Sequence, residues 1–343
     1  MRQTLSTFST TFSATLLATF SSVVLAIVLC LPPLVQAASD QHDLLAKKLN
    51  QGDYSRRGAD VCLGCHDETF PFPTNDIFLT PHGQKTDQAP FAENTEPDHF
   101  PAGLQCEACH GPVGDHGQQI LADDAARQPM INFGGRANAG ADLLNSQCLN
   151  CHEDHARSGW LGSAHETADL SCTDCHSIHQ SHDPIQETTT QIASCTGCHS
   201  NVAADIVKHS AHPIKDNQLV CDSCHKVHGS GGDGLLLASN INDNCYTCHA
   251  EKRGPFLFEH EPVAEDCATC HVPHGSNQPA LLHRRPPQLC QGCHSAAGHR
   301  NLPQLADQLP PGGASEYLLF RGCTNCHSEV HGSNHPSGDR LRR

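Results

Sequence analysis

Hydrophobic residues are concentrated near the start of the chain and are sparse and irregular after it. The opening residues combine Arg2 with a long run of Ser, Thr, Leu and Val that is most apolar from 23 to 31. No later segment is apolar enough over a sufficient length to cross a bilayer as a helix. Alternation typical of strands is weak everywhere. The pattern therefore predicts short α-helices and much irregular chain.

The first 37 residues are predicted to be a secretory signal peptide. Pro32 and Pro33 follow the apolar run, and the sequence "VQA-ASD" then places small residues around a cleavage site near Ala37. The alternative is an uncleaved membrane anchor, but the apolar run is shorter than the about 20 residues of a comfortable span. Cleavage would also remove Cys30 and would place the mature chain outside the cytoplasm.

The sequence Cys-x-x-Cys-His recurs ten times and uses 20 of the 21 cysteines. It is the attachment sequence of c-type haem, in which two thiols bind the porphyrin covalently and the histidine ligates the iron from one face. Zinc sites and disulfides also use cysteine pairs, but neither explains a histidine after every second cysteine. The predicted attachment residues are Cys62, Cys65, Cys106, Cys109, Cys148, Cys151, Cys172, Cys175, Cys195, Cys198, Cys221, Cys224, Cys245, Cys248, Cys267, Cys270, Cys290, Cys293, Cys323 and Cys326. The predicted proximal ligands are His66, His110, His152, His176, His199, His225, His249, His271, His294 and His327.

The supply of other ligands predicts histidine on the second face of each iron. Haem iron takes two axial ligands, and the mature chain holds a single methionine, Met130. The chain has 27 histidines, so the ten motif histidines leave enough others for ten distal ligands. We therefore expect ten haems c with two histidines on each iron, which gives a low potential and no open position for a substrate.

Some motifs are followed almost at once by a second histidine. His228 lies three residues after His225, a stretch of at most about 10 Å, too short to pass round the porphyrin edge to the other face of the same iron. If it ligates an iron, we therefore expect that iron to belong to the next haem. His179, His274 and His331 occupy similar positions and lead to the same expectation.

The remaining histidines divide into candidate ligands and spare residues. His335 competes with His331 for one distal position. The residues expected to be spare are His42, His99, His155, His182, His209 and His283. The predicted distal ligands are His82, His116, His165, His179, His212, His228, His260, His274, His299 and His331.

The composition favours a molecule in which the haems form the core. The chain has 5% aromatic residues, one Trp and three Tyr, so the polypeptide alone has little apolar surface with which to offset its conformational entropy. We expect the chain without haem to be largely unfolded, as small metal-dependent domains are. The formal charge of −16 and the absence of a basic tract argue against a nucleic-acid partner.

The motif spacing predicts an elongated repeat protein with its haems in a linear chain. Motifs are closely spaced from 148 to 290, whereas the first two gaps contain Pro- and Gly-rich stretches that we expect to be loops. The predicted fold class is mostly irregular with short α-helices. The predicted domains are the signal peptide 1–37, an N-terminal pentahaem module 38–205 and a C-terminal pentahaem module 206–343.

The motifs together with their surroundings resemble the periplasmic decahaem cytochromes of the MtrA/DmsE/PioA family. The likeness covers nearly all of the mature chain, and its more particular parts are "GDYSRRGADVCLGCH", "GLQCEACHGPVGDHG", "NDNCYTCHAEKRGP", "PQLCQGCH" and "CTNCHSEVHGSNHPSG". It implies a haem chain inserted in an outer-membrane β-barrel porin, which provides a polar lumen. The implied redox partners are a periplasmic or inner-membrane cytochrome and an extracellular multihaem cytochrome or reductase, in metal or dimethyl sulfoxide reduction or iron oxidation.

Four functions are compatible with these observations. The favoured one is an electron carrier that is not an enzyme and lies in the periplasm, associated with the outer membrane through the porin. A soluble periplasmic electron shuttle or store would share the same motifs. A multihaem reductase would need an iron with an open position, and a membrane-anchored quinol oxidase would need the first 37 residues to be retained.

Overall fold

The computed structural model describes residues 33–51, 54–55, 57–86, 89–92, 103–117, 129–154, 157–294 and 322–342. All ten Cys-x-x-Cys-His motifs lie within these ranges. Most of the predicted signal peptide, together with His99, His155 and His299, lies outside the described residues.

The helices are short, as the sequence predicts, apart from the first. The long helix spans the predicted cleavage site near Ala37, whose use stays a prediction. Within the described ranges the α-helices are α1 (Pro33–Gln51), α2 (Ala59–Leu63), α3 (Glu107–His110), α4 (Ala141–Leu149), α5 (Ala164–Thr167), α6 (Gln191–Thr196), α7 (Ser200–Asp205), α8 (Ile241–Tyr246), α9 (Glu261–Glu265) and α10 (Gln288–Gln291).

Single 3-10 turns occupy much of the chain between the helices. Isolated antiparallel bridges join Ser210 with Ser276 and Phe258 with Ser333. The described residues contain no extended strand. The prediction of a mostly irregular chain with short helices is therefore confirmed. The 3-10 turns are Thr74–Leu79, Pro81–Gly83, Gly114–Gly117, Gly134–Arg136, Cys172–Asp174, Cys221–Ser223, Asp233–Leu235, Ala250–Lys252, Cys267–Thr269, Pro279–Leu281, Gly322–Asn325 and Gly338–Arg340.

The chain divides into two compact units that we describe separately. The first comprises Met1–His66 and Lys85–Gln147, and the second Asp67–Gln84 and Cys148–Arg343. The two units are defined by contacts within the polypeptide and not by the grouping of haems. The division into two pentahaem modules near residue 205 therefore stays a prediction.

Buried apolar side chains are few, in line with the composition. The first unit has one small cluster, in which Leu45 of α1 packs with Ile131 and Leu144, each no more than 3% exposed. In the described part of the chain, no helix combines the length and apolar character that a membrane span requires.

Candidate functional site

All ten motifs adopt one local conformation. In each, the histidine N–H donates to the carbonyl of the first cysteine, four residues earlier, at 2.9 to 3.0 Å. The N–H of the second cysteine donates to the same carbonyl at 3.1 to 3.3 Å. This single helical turn fixes the spacing of the two thiols and of the imidazole that follows, which is what covalent attachment of one porphyrin requires.

When the motifs are numbered in chain order, odd and even motifs begin on different kinds of helical structure. Every odd motif starts in the last turn of an α-helix, as Cys195 does in α6 and Cys245 in α8. Motifs 4, 6, 8 and 10 start on a 3-10 turn. Short side chains cap several of these elements: Asn240 accepts from the N–H of Asp243 at the start of α8, and Asp266 from that of Ala268.

Among the described residues, eight of the ten motif histidines face a second histidine. Two imidazoles on opposite sides of one metal, with metal–nitrogen bonds of about 2.0–2.1 Å, place their ring centroids about 6 Å apart. The observed distances of 5.9 to 6.3 Å match this arrangement. The ring pairs are His66–His116, His82–His152, His165–His199, His176–His228, His212–His249, His225–His274, His260–His294 and His271–His331.

The histidines that closely follow a motif face an earlier motif. His228, three residues after His225, lies 6.0 Å from the ring of His176. His274 pairs in turn with His225. His331 pairs with His271, which favours it over His335 as the distal residue there. In these three cases the segment that attaches one haem reaches the haem two motifs earlier, whereas the sequence predicts the next haem.

Hydrogen bonds orient many of these rings through their Nδ1 atoms. Among the distal candidates, Nδ1 contacts a backbone carbonyl at 2.8 to 3.3 Å for His165, His179, His212 and His260. A carbonyl accepts only, so Nδ1 carries the proton and Nε2 keeps its lone pair for a metal. Proximal rings with the same arrangement are His110, His225, His271 and His327, on the carbonyls of Ile131, Gly234, Ala280 and Arg340.

Three of these Nδ1 hydrogen bonds connect the histidine of one ring pair to the backbone beside a histidine of another ring pair. The rings of His165, His212 and His260 bond to the carbonyls of Val227, Pro273 and Val330. Each of these carbonyls belongs to the residue directly before another distal candidate, namely His228, His274 and His331. The backbone thus places two distal rings, which belong to different ring pairs, at a fixed separation.

Burial favours the uncharged form of several ring-pair histidines. The pKa of these imidazoles is lowered mainly because burial removes solvent from the charged imidazolium form, and positive charge on nearby groups lowers the pKa further. For His228 those groups include His176 and Arg157. Neutral imidazole is the form that binds a metal. The pKa is lowered in this way for His66, His82, His152, His228, His274 and His331.

The first thiols of consecutive motifs meet in pairs. Each odd motif contacts the even motif that follows it through the Sγ atoms of their first cysteines, and all five such pairs are present. The hydrogen-bonded pairs are Cys62–Cys106, Cys148–Cys172, Cys195–Cys221, Cys245–Cys267 and Cys290–Cys323.

These contacts make the two thiols of a pair unequal. The hydrogen bond from Cys195 lowers the pKa of Cys221 to about 7, while the pKa of Cys195 is raised. Burial raises the pKa of Cys245 and that of Cys290 to about 11, with a contribution from the partner thiol. Since such shifts require close approach, the attachment points of two successive haems adjoin.

The second thiols connect one pair to the next. Burial raises the pKa of Cys175, and negative charge on Asp174 and then on Cys198 raises it further. Burial likewise raises the pKa of Cys270, with Cys293 adding to it, and that of Cys224, with Cys245 and Cys248 adding to it. Together with the first-thiol pairs, these electrostatic interactions link motifs 3 to 10 of the second unit in unbroken chain order.

Other features of the second unit fit a large apolar group with acidic substituents. Leu79, Leu161, Val207 and Leu257 are 68 to 76% exposed, and each lies three to five residues before a distal candidate. Trp160 lies 6.2 Å from His228, and its buried Nε1 finds no hydrogen-bond acceptor among the described residues. The residues present therefore fit haem, with its flat apolar ring and its carboxylates.

Two predicted ligands and several spare histidines complete the comparison with the sequence. His179 shares the Nδ1 arrangement of the other distal candidates, whereas His299 lies outside the described residues. His42 and His335 accept backbone N–H bonds at Nδ1, and His283 contacts the carbonyl of Ala268. The ligand roles of individual histidines stay predictions that these distances support.

Comparison with known proteins places the chain in a family. It is 44% identical over 302 residues to multihaem cytochrome MtrA of Shewanella baltica, which covers 87% of this chain and 85% of that protein. The chain belongs to the MtrA family of multihaem c-type cytochromes. The predicted resemblance is thereby confirmed, as are the covalently attached c-type haems, about ten in number, and the assignment to electron transport.

Sequence profiles and more distant relatives agree with this family. The profile described as "Doubled CXXCH motif" matches residues 212–254 and 260–299, and the one described as "Cytochrome c-type protein NrfB-like" matches 106–198. The high-molecular-weight cytochrome c of Nitratidesulfovibrio vulgaris is 25% identical over 56% of this chain and 32% of its own length. The polyhaem cytochrome OmcB of Geobacter sulfurreducens is 23% identical over 53% and 29%. Each doubled-motif match begins at a distal candidate, His212 or His260.

Proposed function

We propose that this cytochrome conducts electrons across the outer membrane, inserted in a β-barrel porin, and performs no catalysis of its own. It links an electron carrier of the periplasm or inner membrane to a multihaem cytochrome or reductase at the cell surface. Each bound haem supplies one iron that alternates between the ferrous and ferric states. Metal reduction, dimethyl sulfoxide reduction and iron oxidation are the processes that such a conduit serves.

The succession of attachment thiols is the observation that carries this proposal. From Cys148 to Cys326, neighbouring motifs are linked alternately by a hydrogen bond between their first cysteines and by an electrostatic interaction between their second cysteines. The porphyrins that these thiols hold are therefore neighbours in the same order. An unbroken run of closely spaced carriers favours transfer along the molecule over storage at separate sites.

The histidine pairs support a carrier rather than a reductase. A reductase needs an iron position at which substrate binds. Eight motif histidines have an opposing imidazole at the distance expected for two ligands on one iron. Nδ1 hydrogen bonds orient several of these rings, which supports ligation of each iron by two histidines of the chain.

Export and location in the barrel rest on the sequence and on family membership. The predicted signal peptide 1–37 and the attachment of haem outside the cytoplasm both require export. The large barrel provides a water-lined path through a bilayer that a polar protein cannot face directly. The sequence's acidic, polar composition is compatible with such a lumen.

The test is electron transfer across a liposome wall. The chain is expressed with its neighbouring genes, and the outer-membrane complex is isolated and inserted into liposomes that enclose an electron-accepting dye. An external reductant is expected to reduce the enclosed dye. Substitution of both Cys221 and Cys224 by Ala removes one haem from the middle of the run and is expected to stop the transfer, while Asp233→Asn, at an exposed position of the loop that follows, leaves it unchanged.

Two results would refute the conduit. Dye reduction at an unchanged rate in the doubly substituted protein would show that electrons bypass the run of haems. Isolation of the cytochrome from the periplasm with no associated barrel protein would instead support the soluble shuttle.

A further inference from the structure

Three stretches of the second unit have the same organisation around an even motif. They begin at Cys172, Cys221 and Cys267, each on a 3-10 turn. In each, the motif histidine has an opposing ring from a later segment, namely His228, His274 or His331. They differ in the group that accepts the Nδ1 hydrogen bond of the motif histidine.

Two of the stretches use the backbone as acceptor. In the second, His225 Nδ1 donates to the carbonyl of Gly234 at 2.8 Å, and the next N–H, of Lys226, donates to Leu235 O at 2.6 Å. The third repeats this arrangement, with His271 on Ala280 O at 2.7 Å and the N–H of Val272 on Leu281 O. Both acceptors are uncharged peptide carbonyls.

The first stretch replaces both carbonyls by one carboxylate. His176 Nδ1 donates to Asp183 Oδ2 at 2.6 Å, and the N–H of Ser177 donates to Oδ1 at 3.1 Å. Gln186 Nε2 also donates to Oδ2, at 2.9 Å. The Asp183 side chain is 14% exposed, so these three donors hold it in one orientation.

The carboxylate is ionised in this setting. His176 Nδ1, the N–H of Ser177 and Gln186 Nε2 all donate to its oxygens, and hydrogen bonds of this kind favour the charged form of a carboxylate. A charged acceptor makes a stronger hydrogen bond than a carbonyl does. It draws the Nδ1 proton away from the ring and makes Nε2 a more basic ligand.

We propose that Asp183 is a positioning residue that selectively lowers the reduction potential of the haem attached at Cys172 and Cys175. A more basic axial ligand stabilises the ferric iron, with its higher charge, more than the ferrous iron, so the haem takes up an electron less readily. The inference rests on the proposed ligation by His176, and it adds to the conduit a distinct step in potential at motif 4.

One other carboxylate lies near a proximal histidine in the described chain, and it differs in geometry. Glu251 Oε1 is 3.9 Å from His249 Nδ1, beyond hydrogen-bonding distance, and both side chains are more than half exposed. It therefore provides a control for charge without a hydrogen bond. Asp233, exposed beside the acceptor Gly234, provides the same control in the equivalent stretch around His225.

The test is a potentiometric titration of the full-length holoprotein, followed by absorbance, for wild type, Asp183→Asn, Asp233→Asn and Glu251→Gln. Asparagine keeps the size of the side chain and removes the charge. Asp183→Asn is expected to move one tenth of the titrating absorbance to higher potential, and both control variants are expected to superimpose on wild type. In wild type, one of the near-infrared magnetic circular dichroism bands of the ferric haems should show the energy of a more strongly donating imidazole, and Asp183→Asn should remove that band.

Each result has a definite meaning. Ten low-spin haems with superimposable titrations for Asp183→Asn and wild type would overturn this inference and leave the proposed function intact. Fewer than ten haems in wild type, by haem assay and mass, would count against the proposed function instead. If Asp183→Asn loses a haem, the near-infrared dichroism spectrum of the wild-type protein is the test instead. A wild-type spectrum in which all ferric haems give bands of the same energy would overturn the inference.

Discussion

Residues 172–191 and 221–240 attach a haem in the same way but support its ligand differently. Both start with the motif on a 3-10 turn, and in both the motif histidine faces a histidine from a later segment. Behind the proximal ring, the first segment presents Asp183, while the second presents the backbone at Gly234.

The hydrogen bond from His225 to the backbone carbonyl depends on an unusual conformation of the loop that supplies it. Gly234 and Leu235 have φ of 61° and 57°, in the left-handed region that costs ordinary residues energy. The carboxylate solution avoids this conformation but holds a charge in a mostly buried place. One attachment motif therefore accommodates either backbone strain or a buried charge, with different consequences for stability and for redox potential.

The largest effect is expected from removing an opposing histidine. His228→Ala should leave the haem of motif 4 with one axial ligand, because His228 faces His176 rather than His225. One tenth of the haem should become high-spin and bind cyanide. His182→Ala, at a histidine 81% exposed, should leave the spectrum unchanged.

A double substitution identifies which haem is affected. When Cys172 and Cys175 are also replaced by Ala, the high-spin signal of His228→Ala should disappear. If the signal persists there, the assignment of His228 to motif 4 is wrong.

The next effect concerns the glycine after His228. Gly229 has φ of 114°, and an added Cβ would clash with the carbonyl of Gly159 in the neighbouring chain segment. Gly229→Ala should destabilise the holoprotein by about 2–3 kcal/mol through this overlap and the strained φ. Thermal unfolding followed by Soret dichroism measures it, and Gly231→Ala, where an added Cβ meets open space, should change stability by less than about 0.5 kcal/mol.

A smaller effect tests the strained backbone directly. Gly234 and Ala280 are equivalent residues with φ of 61° and 55°. Gly234→Ala should destabilise by about 1 kcal/mol and Ala280→Gly should stabilise by a similar amount, because only glycine adopts this conformation without cost. No neighbouring atom lies within 4 Å of a Cβ added at Gly234, so the change isolates conformation. Equal signs for the two variants in denaturant unfolding would contradict this explanation.

The smallest effect is expected at Gln186. Its Nε2 donates to the same oxygen of Asp183 as His176 does. In Gln186→Ala, His176 is the remaining side-chain donor to that oxygen, so its hydrogen bond to the carboxylate should strengthen. The haem of motif 4 should therefore shift slightly to lower potential, opposite in direction to Asp183→Asn. Potentiometric titration measures the shift, and Gln278→Ala, in the equivalent loop after His271, is the control. A shift to higher potential would show that Gln186 does not compete for the carboxylate.

The ligand chemistry could be predicted from the sequence to a large extent. Cys-x-x-Cys-His is a local signal, and all ten copies form the one turn that the motif requires. The count of remaining histidines predicted distal candidates, and eight of the ten lie opposite a motif histidine. The reach of three residues excluded His228 from its own haem, but the expectation that it serves the next haem differs from its position opposite His176 of motif 4.

Other parts of the site could not have been found this way. Nothing in the sequence marks Asp183 among the acidic residues, because its role depends on a loop that returns to His176. The thiol pairs, such as Cys195 with Cys221, join motifs whose relative placement is a matter of packing. The buried indole of Trp160 beside His228 is equally invisible in the residue pattern.

The cofactor, the attachment residues and the scarcity of regular structure could be predicted from the residue pattern, because they follow from covalent chemistry, local turns and the small supply of apolar side chains. The folded chain was needed to find which histidines oppose each other, in what order the attachment points adjoin, and whether a carbonyl or a carboxylate accepts the Nδ1 hydrogen bond of a ligand. These depend on contacts between residues distant in the chain, where a shift of a few ångströms selects a different partner.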